Sequence, residues 1–276
     1  ITTKGDKILD IPLAKVGGKG LFVKEIEQAL LDGRIDIAVH SMKDMPAEIP
    51  AGLCIGAIPA REDPADVLIS NNGLHFSELK QGAVIGTSSL RRDAQIRHAR
   101  PDIVIVPLRG NVETRLKKLQ TENLDAVVLA AAGIKRLNLE HRITEYLNSD
   151  IMLPAVGQGA LGIEIRQNDP DVQPMITALD DPHTHAIVRG ERAFLNHLGG
   201  SCQVPIAGHG VINRNTFNLT GLVADLDGSR ILKATLSGST DSTETIGISL
   251  AQQLLAQGAD KILEQLQSME SENDGS

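Results

Sequence analysis

The chain of 276 residues contains no tryptophan, a single tyrosine and four phenylalanines. A ligand is therefore not gripped mainly by aromatic stacking, which leaves charge and hydrogen bonding. Two cysteines are too few for a disulfide framework. A chain of this length that is 41% hydrophobic buries cores without one. There is no run of about 18 apolar residues, so no helical membrane span is expected, and no signal or transit peptide is visible. With so little cysteine, these features point to a reducing, cytoplasmic setting. The net charge of −8 lacks the basic excess that a nucleic-acid backbone demands. The opening Ile1-Thr2-Thr3-Lys4 has neither methionine nor an obvious first strand, so a preceding segment is expected to be missing.

Length predicts two or three domains. A basic, glycine-rich loop (14–20) precedes a helix predicted over 21–32, with Leu21, Ile26, Ala29 and Leu30 near one face. Strands are predicted at 35–40 and 53–58, and Pro59 to Pro64 reads as a crossover. From residue 83, strands (83–86, 103–106, 126–130) alternate with helices (89–99, 111–120, 134–147). Their Val/Ile/Ala character predicts a parallel sheet covered on both faces. Residues 160–165 form one more strand, read as returning to the first domain. Residues 59–64 and 153–159 would then be a double hinge beside a cleft between two α/β lobes. From about 182 the pattern changes to a helix (184–198), strands at 206–212, 217–225 and 230–238 with an Asp227-Gly228 hairpin turn, and helices at 243–256 and 259–267. The polar tail Ser268 to Ser276 is expected to be disordered.

Cys202 lies in Gly199-Gly200-Ser201-Cys202-Gln203-Val204-Pro205. Glycines bend that backbone and the proline sets an extended exit, so the thiol is displayed, as an attachment point or a nucleophile. Cys54, in Leu53-Cys54-Ile55-Gly56, reads as a small buried hydrophobe. In Gly86-Thr87-Ser88-Ser89-Leu90-Arg91-Arg92, hydroxyl residues cap a helix whose first turn carries two arginines. Cations there oppose the helix dipole unless an anion binds; pairing with surface acids is an equal alternative. The pattern recurs: Lys43 stands just after one strand, Arg109 ends another, Arg115 lies a turn into the next helix, Arg136 follows a third strand and Lys19 lies in the glycine loop. In an acidic protein, cations gathered at successive strand ends predict a cleft for a polyanionic small molecule. Asp44, in His40-Ser41-Met42-Lys43-Asp44, adds a carboxylate suited to acid–base work or to stabilising a cation. Gly157 to Gly162 fits G-x-G-x-x-G but precedes a strand, so it reads as hinge rather than dinucleotide loop. His183, His185, His197 and Cys202 match no metal-site spacing, and no metal is expected.

Six stretches together resemble the porphobilinogen deaminase (hydroxymethylbilane synthase) family. They are Val16-Gly17-Gly18-Lys19-Gly20-Leu21-Phe22, His40 to Asp44, Gly86 to Arg92, Leu108-Arg109-Gly110-Asn111-Val112, Leu153 to Ala160 and Gly199 to Pro205. The resemblance runs almost end to end. It implies two lobes like those of periplasmic binding proteins with a hinge, plus a small C-terminal α+β domain. The divisions are 1–59 with 160–177, 65–153 and 182–276. The implied reaction joins four porphobilinogens head to tail, releases ammonia and yields hydroxymethylbilane. A dipyrromethane cofactor, held by thioether on Cys202, primes it. By resemblance Asp44 is catalytic, and Lys43, Arg91, Arg92, Ser89 and Thr87 join it around the cofactor. Arg109, Arg115, Arg136, Gln158, Lys19 and Phe22 serve the substrate, with Gln158 in the second hinge and Lys19 and Phe22 over the site. Porphobilinogen and the growing oligopyrrole are then the partners of a cytoplasmic monomer.

The family opens with a strand and an Arg-x-Ser segment that this chain does not match. About the first forty residues of the resemblance are expected to be missing, and a form truly lacking them would be weakly active or inactive. Two rivals stay open. A non-catalytic, two-lobed anion-binding protein explains the arginines and hinges but not Cys202. A cysteine-nucleophile transferase would need a base, for which His197 is the nearest candidate.

Overall fold

The computed structural model describes residues 23–46, 48–200 and 204–274. The chain begins there with helix α1 (Lys24–Leu31) and strands β1 (Ala38–Ser41) and β2 (Leu53–Ala57). It then crosses into a second unit, built from β3 (Asp66–Ser70), β4 (Val84–Gly86), α2 (Leu90–Ala99), β5 (Val104–Val106), α3 (Val112–Thr121), β6 (Ala126–Ala130), α4 (Ala131–Arg136) and β7 (Glu145–Leu147). It returns through β8 (Leu161–Arg166) and α5 (Val172–Thr177). The C-terminal part comprises α6 (Pro182–His197), β9 (Ile206–Asn213), β10 (Thr216–Ala224), β11 (Ile231–Ser239), α7 (Thr243–Leu254) and α8 (Asp260–Asp274).

The described residues form three sheets: β1-β8-β2, β5-β4-β6-β3-β7 and β11-β10-β9. β8 lies antiparallel between β1 and β2, as expected of a strand that returns to the first unit. The second sheet corrects the sequence reading. β4 pairs parallel with β5 and β6, but β3 runs antiparallel to both β6 and β7, so the sheet is mixed. β3 was not expected, because Val67-Leu68-Ile69 follows a crossover proline; all three side chains are buried. The expected helix over 134–147 ends at Arg136. Asn138 turns left-handed at φ 57°, and the chain reopens as an edge strand once Thr144 N–H donates to the Leu68 carbonyl. The expected disordered tail is replaced by α8, which continues to Asp274.

Local chemistry sets the helix starts. Asn111 caps α3 by accepting from Thr114 N–H at 2.8 Å, and Asp181 caps α6 by accepting from Thr184 N–H at 2.7 Å, with Pro182 in the first turn. The core of the C-terminal part centres on Phe194, Phe217, Leu219 and Leu250, between α6 and α7 on one side and the β9–β11 sheet on the other. That sheet also meets α2 through Ala94, Leu153, Ala207, Leu222 and Ala224. The expected hairpin turn joins β10 to β11, and its Gly228 carbonyl lies 2.9 Å from His98 Nδ1 at the far end of α2. No described helix is long and apolar enough to cross a membrane.

The two crossovers between the sheets are tied to each other. Arg61 Nε donates to the Gln158 carbonyl at 2.8 Å, Glu62 N–H to the Gly159 carbonyl at 3.1 Å, and Gln158 Nε2 to the Pro64 carbonyl at 2.6 Å. Glu191, fully buried on α6, closes the junction. It accepts from Arg61 Nη1 at 2.7 Å, Arg61 Nη2 at 3.2 Å, Gly157 N–H at 2.7 Å and Gly210 N–H at 2.8 Å. Each oxygen of this carboxylate thus has two donors, which is what a buried charge requires.

Candidate active site

β1 runs directly into a single 3₁₀ turn, Met42–Asp44. Met42 is buried and anchors the turn, its N–H donating to the Ala160 carbonyl at 3.0 Å. Gly157 of the second crossover presses on it from behind. A Cβ there would lie 2.8 Å from Met42 Cβ and 3.1 Å from Lys43 N, and the φ of 70° is itself one that glycine tolerates. The turn leaves Asp44 exposed and Lys43 half-buried.

Facing it is the loop from β4 into α2. Thr87 is buried; its N–H donates to the Val106 carbonyl and its Oγ1 accepts from Ser89 N–H at 3.2 Å. Ser89 holds the N-cap position, yet its side chain makes no capping bond to the first turn of α2. Ser88 Oγ bonds the Leu108 backbone in both directions at 2.9 Å, which sets the Arg109 loop beside this one. Arg115, on α3, is oriented by its Nε bond to the Gly110 carbonyl at 2.7 Å.

Arg91 and Arg92 converge on an acid that the sequence reading did not find. Asp66, at the start of β3, is fully buried. Its Oδ2 accepts from Arg91 Nη1 at 2.7 Å, and its Oδ1 accepts from Arg92 Nε at 2.9 Å and Gln158 Nε2 at 3.1 Å, with Arg92 Nη2 paired to the same oxygen at 2.7 Å. Arg91 Nη1 also reaches the Leu153 carbonyl at 2.7 Å, and Arg92 Nη1 the Val128 carbonyl at 3.0 Å. Burial pushes the Asp66 carboxyl up, but the two guanidinium charges and the Arg91 and Gln158 hydrogen bonds outweigh it and hold the pKa down to about 2. The arginines therefore pair with an acid, as the blander expectation had it, but with a shared and buried one. One carboxylate against two guanidinium groups leaves a net positive charge facing Lys43.

The titration behaviour of the neighbours traces the rest of the group. Burial lowers the Lys43 pKa; Arg92 and Arg91 push the same way, against Asp44 and Asp66. Burial lowers Arg115 too, helped by the charges of Arg92 and Arg109 and opposed by Asp44. Lys43, Arg91, Arg92, Arg109 and Arg115 thus share one electrostatic environment with Asp44, a surplus of cations that favours a bound polyanion. Arg136 lies outside this buried set, exposed at the end of α4, where its charge acts on Glu62 of the first crossover. Lys19, Phe22 and Cys202 lie outside the described residues. Among the described residues no group of three or more His, Cys, Asp or Glu side chains could hold a metal ion.

Comparison with known proteins agrees with this chemistry. A family model described as the porphobilinogen deaminase dipyrromethane cofactor binding domain matches residues 1–174, and one for the porphobilinogen deaminase C-terminal domain matches 186–256. Porphobilinogen deaminase of Syntrophotalea carbinolica is 58% identical over 263 residues, covering 95% of this chain and 84% of that protein. Those of Geobacter metallireducens and Geobacter sulfurreducens are 56% and 55% identical over 270 residues, covering 98% of this chain and 85% of each relative. Among solved structures, an arginine-specific periplasmic binding protein of Salmonella typhimurium aligns over 58% of this chain and 71% of its own, at 17% identity with a TM-score of 0.35, a level that decides nothing about function. With two family models spanning most of its length and relatives above half identity, the chain belongs to the porphobilinogen deaminase family.

Proposed function

We propose that Asp44 carries the chemistry of this enzyme and that the cations around it hold its substrate and cofactor by their carboxylates. The activity is that of the family: porphobilinogen units are joined head to tail, ammonia leaves, and hydroxymethylbilane is the product in tetrapyrrole synthesis. The cofactor is a dipyrromethane. The donor set fits such a group. Each pyrrole ring brings two carboxylates and one N–H, and Lys43, Arg92, Arg109 and Arg115 stand around a single exposed carboxylate. When bound, the dipyrromethane supplies the free pyrrole carbon from which the product grows.

The roles follow from charge and position. Asp44 accepts pyrrole N–H bonds and offers negative charge where the substrate becomes cationic as its amine departs. Lys43, partly desolvated among guanidinium groups, gains most when a carboxylate arrives, because the anion relieves the burial and the repulsion together. Asp66 holds Arg91 and Arg92 at fixed height, so that their remaining donors meet the ligand without reorganising. Ser89 and Thr87 complete the cradle at the start of α2, and Arg136 and Gln158 serve the growing chain. We assign Cys202 as the thioether attachment point, and Lys19 and Phe22 to the loop over the site. The sheet memberships support divisions at 1–59 with 160–177, 65–153 and 182–276, in a cytoplasmic monomer.

The observation that carries the reading is the Met42–Asp44 turn set opposite the cation cluster. Its test combines mass spectrometry with kinetics. The intact protein should carry one added dipyrromethane, lost in Cys202→Ser. Asp44→Asn should keep that mass and lose turnover by about 10²–10³-fold, the scale of a removed electrostatic group. A bare thiol in the active enzyme would overturn the role of Cys202; a near-normal Asp44→Asn rate would overturn that of Asp44.

A further inference from the structure

Beneath β1, away from the cation cluster, lies a second group of buried charges. Glu164 interrupts the otherwise apolar run Leu161-Gly162-Ile163 and Ile165 of β8 and is fully buried. In the β1–β8 ladder Ala38 opposes Glu164 and His40 opposes Gly162, which makes His40 and Glu164 diagonal neighbours on one face. His40 Nε2 lies 2.9 Å from Glu164 Oε2. From α1, Glu27 is buried within range of both. Cys54, on β2, is the titratable group on the other flank; burial pushes its thiol up, and the charge of Glu164 adds to that. Lys24, also on α1, is the remaining charge acting on Glu27.

Two acids against one imidazole leave this interior one negative charge in excess even when His40 is protonated. The hydrogen bonding is short by the same measure: among the described residues, Glu27 Oε1 and Glu164 Oε1 are both buried without a partner. Two bare carboxylate oxygens in an apolar interior are costly. One proton on a carboxyl removes the excess charge and supplies a missing donor. Burial first, then the charge of Glu164, raises the Glu27 pKa against the opposing pull of His40 and Lys24, which favours Glu27 as the place for that proton.

The position of the cluster gives it a use. His40 is followed by Ser41 and then by the turn that presents Lys43 and Asp44. β1 is four residues long, and among the described residues its only ladder partner is β8. We propose that His40 and Glu164, completed by a proton held on Glu27, clamp β1 onto β8 and thereby set the position of the Lys43–Asp44 turn in the cleft. His40 and Glu164 are positioning residues, acting on catalysis through Asp44; in that respect the inference rests on the role given to Asp44 above. The clamp draws its proton from solvent and consumes nothing else.

The sign of its pH dependence follows from the raised carboxyl. The clamp is complete below the folded-state pKa of Glu27, which burial and the charge of Glu164 raise, and is lost as pH rises through it. The test uses the cofactor-loaded enzyme and three variants. Glu164→Gln and His40→Asn should lower kcat about 10–100-fold with KM within about twofold, the scale of an ångström misplacement of a reacting group. Glu27→Gln, which mimics the protonated acid, should keep the kcat that the parent has below that pKa and lose the decline that the parent shows as pH rises through it. Infrared spectroscopy should find a protonated-carboxyl band in the parent and in Asp44→Asn, and none in Glu27→Gln. An identical band in parent and Glu27→Gln, or an identical decline with rising pH, would overturn the shared proton. A Glu164→Gln kcat within twofold of the parent would overturn the positioning role. Should Glu164→Gln fail to fold, the two Glu27→Gln readouts decide. Wild-type turnover by Asp44→Asn would instead remove the assignment of Asp44 and leave the infrared result standing.

Discussion

Replacing Asp66 with Asn removes a charge while nearly keeping the shape, and it isolates what the buried acid does. At neutral pH the parent carboxylate neutralises part of the charge of Arg91 and Arg92, both of which are themselves buried. Two routes give the size of the loss. The folded-state pKa of about 2, against 3.8 for an unperturbed aspartate, makes the ionised form worth about 2 kcal/mol at neutral pH. Breaking a buried ion pair by removing one partner typically costs about 3–5 kcal/mol, because the remaining charge is stranded. The titration route compares two states of the same residue and gives the lower bound; the stranded guanidinium groups raise the loss toward the second figure. Urea unfolding at neutral pH should therefore show Asp66→Asn destabilised by about 2–5 kcal/mol. The sign of the pH effect is fixed. A depressed carboxyl stabilises the fold above its unfolded pKa and loses that contribution as pH falls from 3.8 to about 2. Over that interval the parent should lose about 2 kcal/mol more than the variant, and the two curves should converge. A difference below about 1 kcal/mol at neutral pH, or a gap that stays constant down to acid pH, would refute the account of Asp66 as the charge partner of both arginines.

Two further predictions concern the crossovers. Glu191→Gln strands Arg61 and weakens the bonds donated by two backbone N–H groups in a fully buried place, so a loss of about 3–5 kcal/mol is expected in thermal or urea unfolding; an unchanged midpoint would show that solvent satisfies Arg61 as well as Glu191 does. Gly157→Ala adds about 1–2 kcal/mol of left-handed backbone strain and drives a methyl group into Met42 and the Lys43 backbone; kcat should fall while the cofactor mass on Cys202 remains, and a wild-type kcat would mean the turn yields without consequence.

The site was legible wherever chemistry sits at the end of a periodic element. Lys43, Asp44, Arg92, Arg109 and Arg115 stand out because charge interrupts apolar strands at their ends, and the structure gathers these five into one electrostatic group. Asp66 escaped notice because an acid between a crossover proline and Val67 looks like a turn residue; its partners lie 25 and 26 positions away and meet it only through the tertiary fold. Glu191, in the middle of a long helix, resembles any solvent-facing glutamate until α6 is laid against the crossovers. The strand misread at 145–147 has a similar origin: its edge position depends on β3, itself hidden behind Pro64. The tail was judged by polarity alone, whereas α8 gains its first turns from Ile262, Leu263 and Leu266 packed into the C-terminal core.

Glu191 grips the chain where it crosses between the sheets, not on either sheet's outer surface. A door pinned at its hinge post sweeps through a wide angle while the post stays put. Were the two lobes to swing apart about the crossovers, a C-terminal part seated at Arg61 and Gly157 would be carried least of all. Whatever is fastened near the end of α6 would then keep a constant reach into the cleft, and a lengthening product would be accommodated by the movement of the walls.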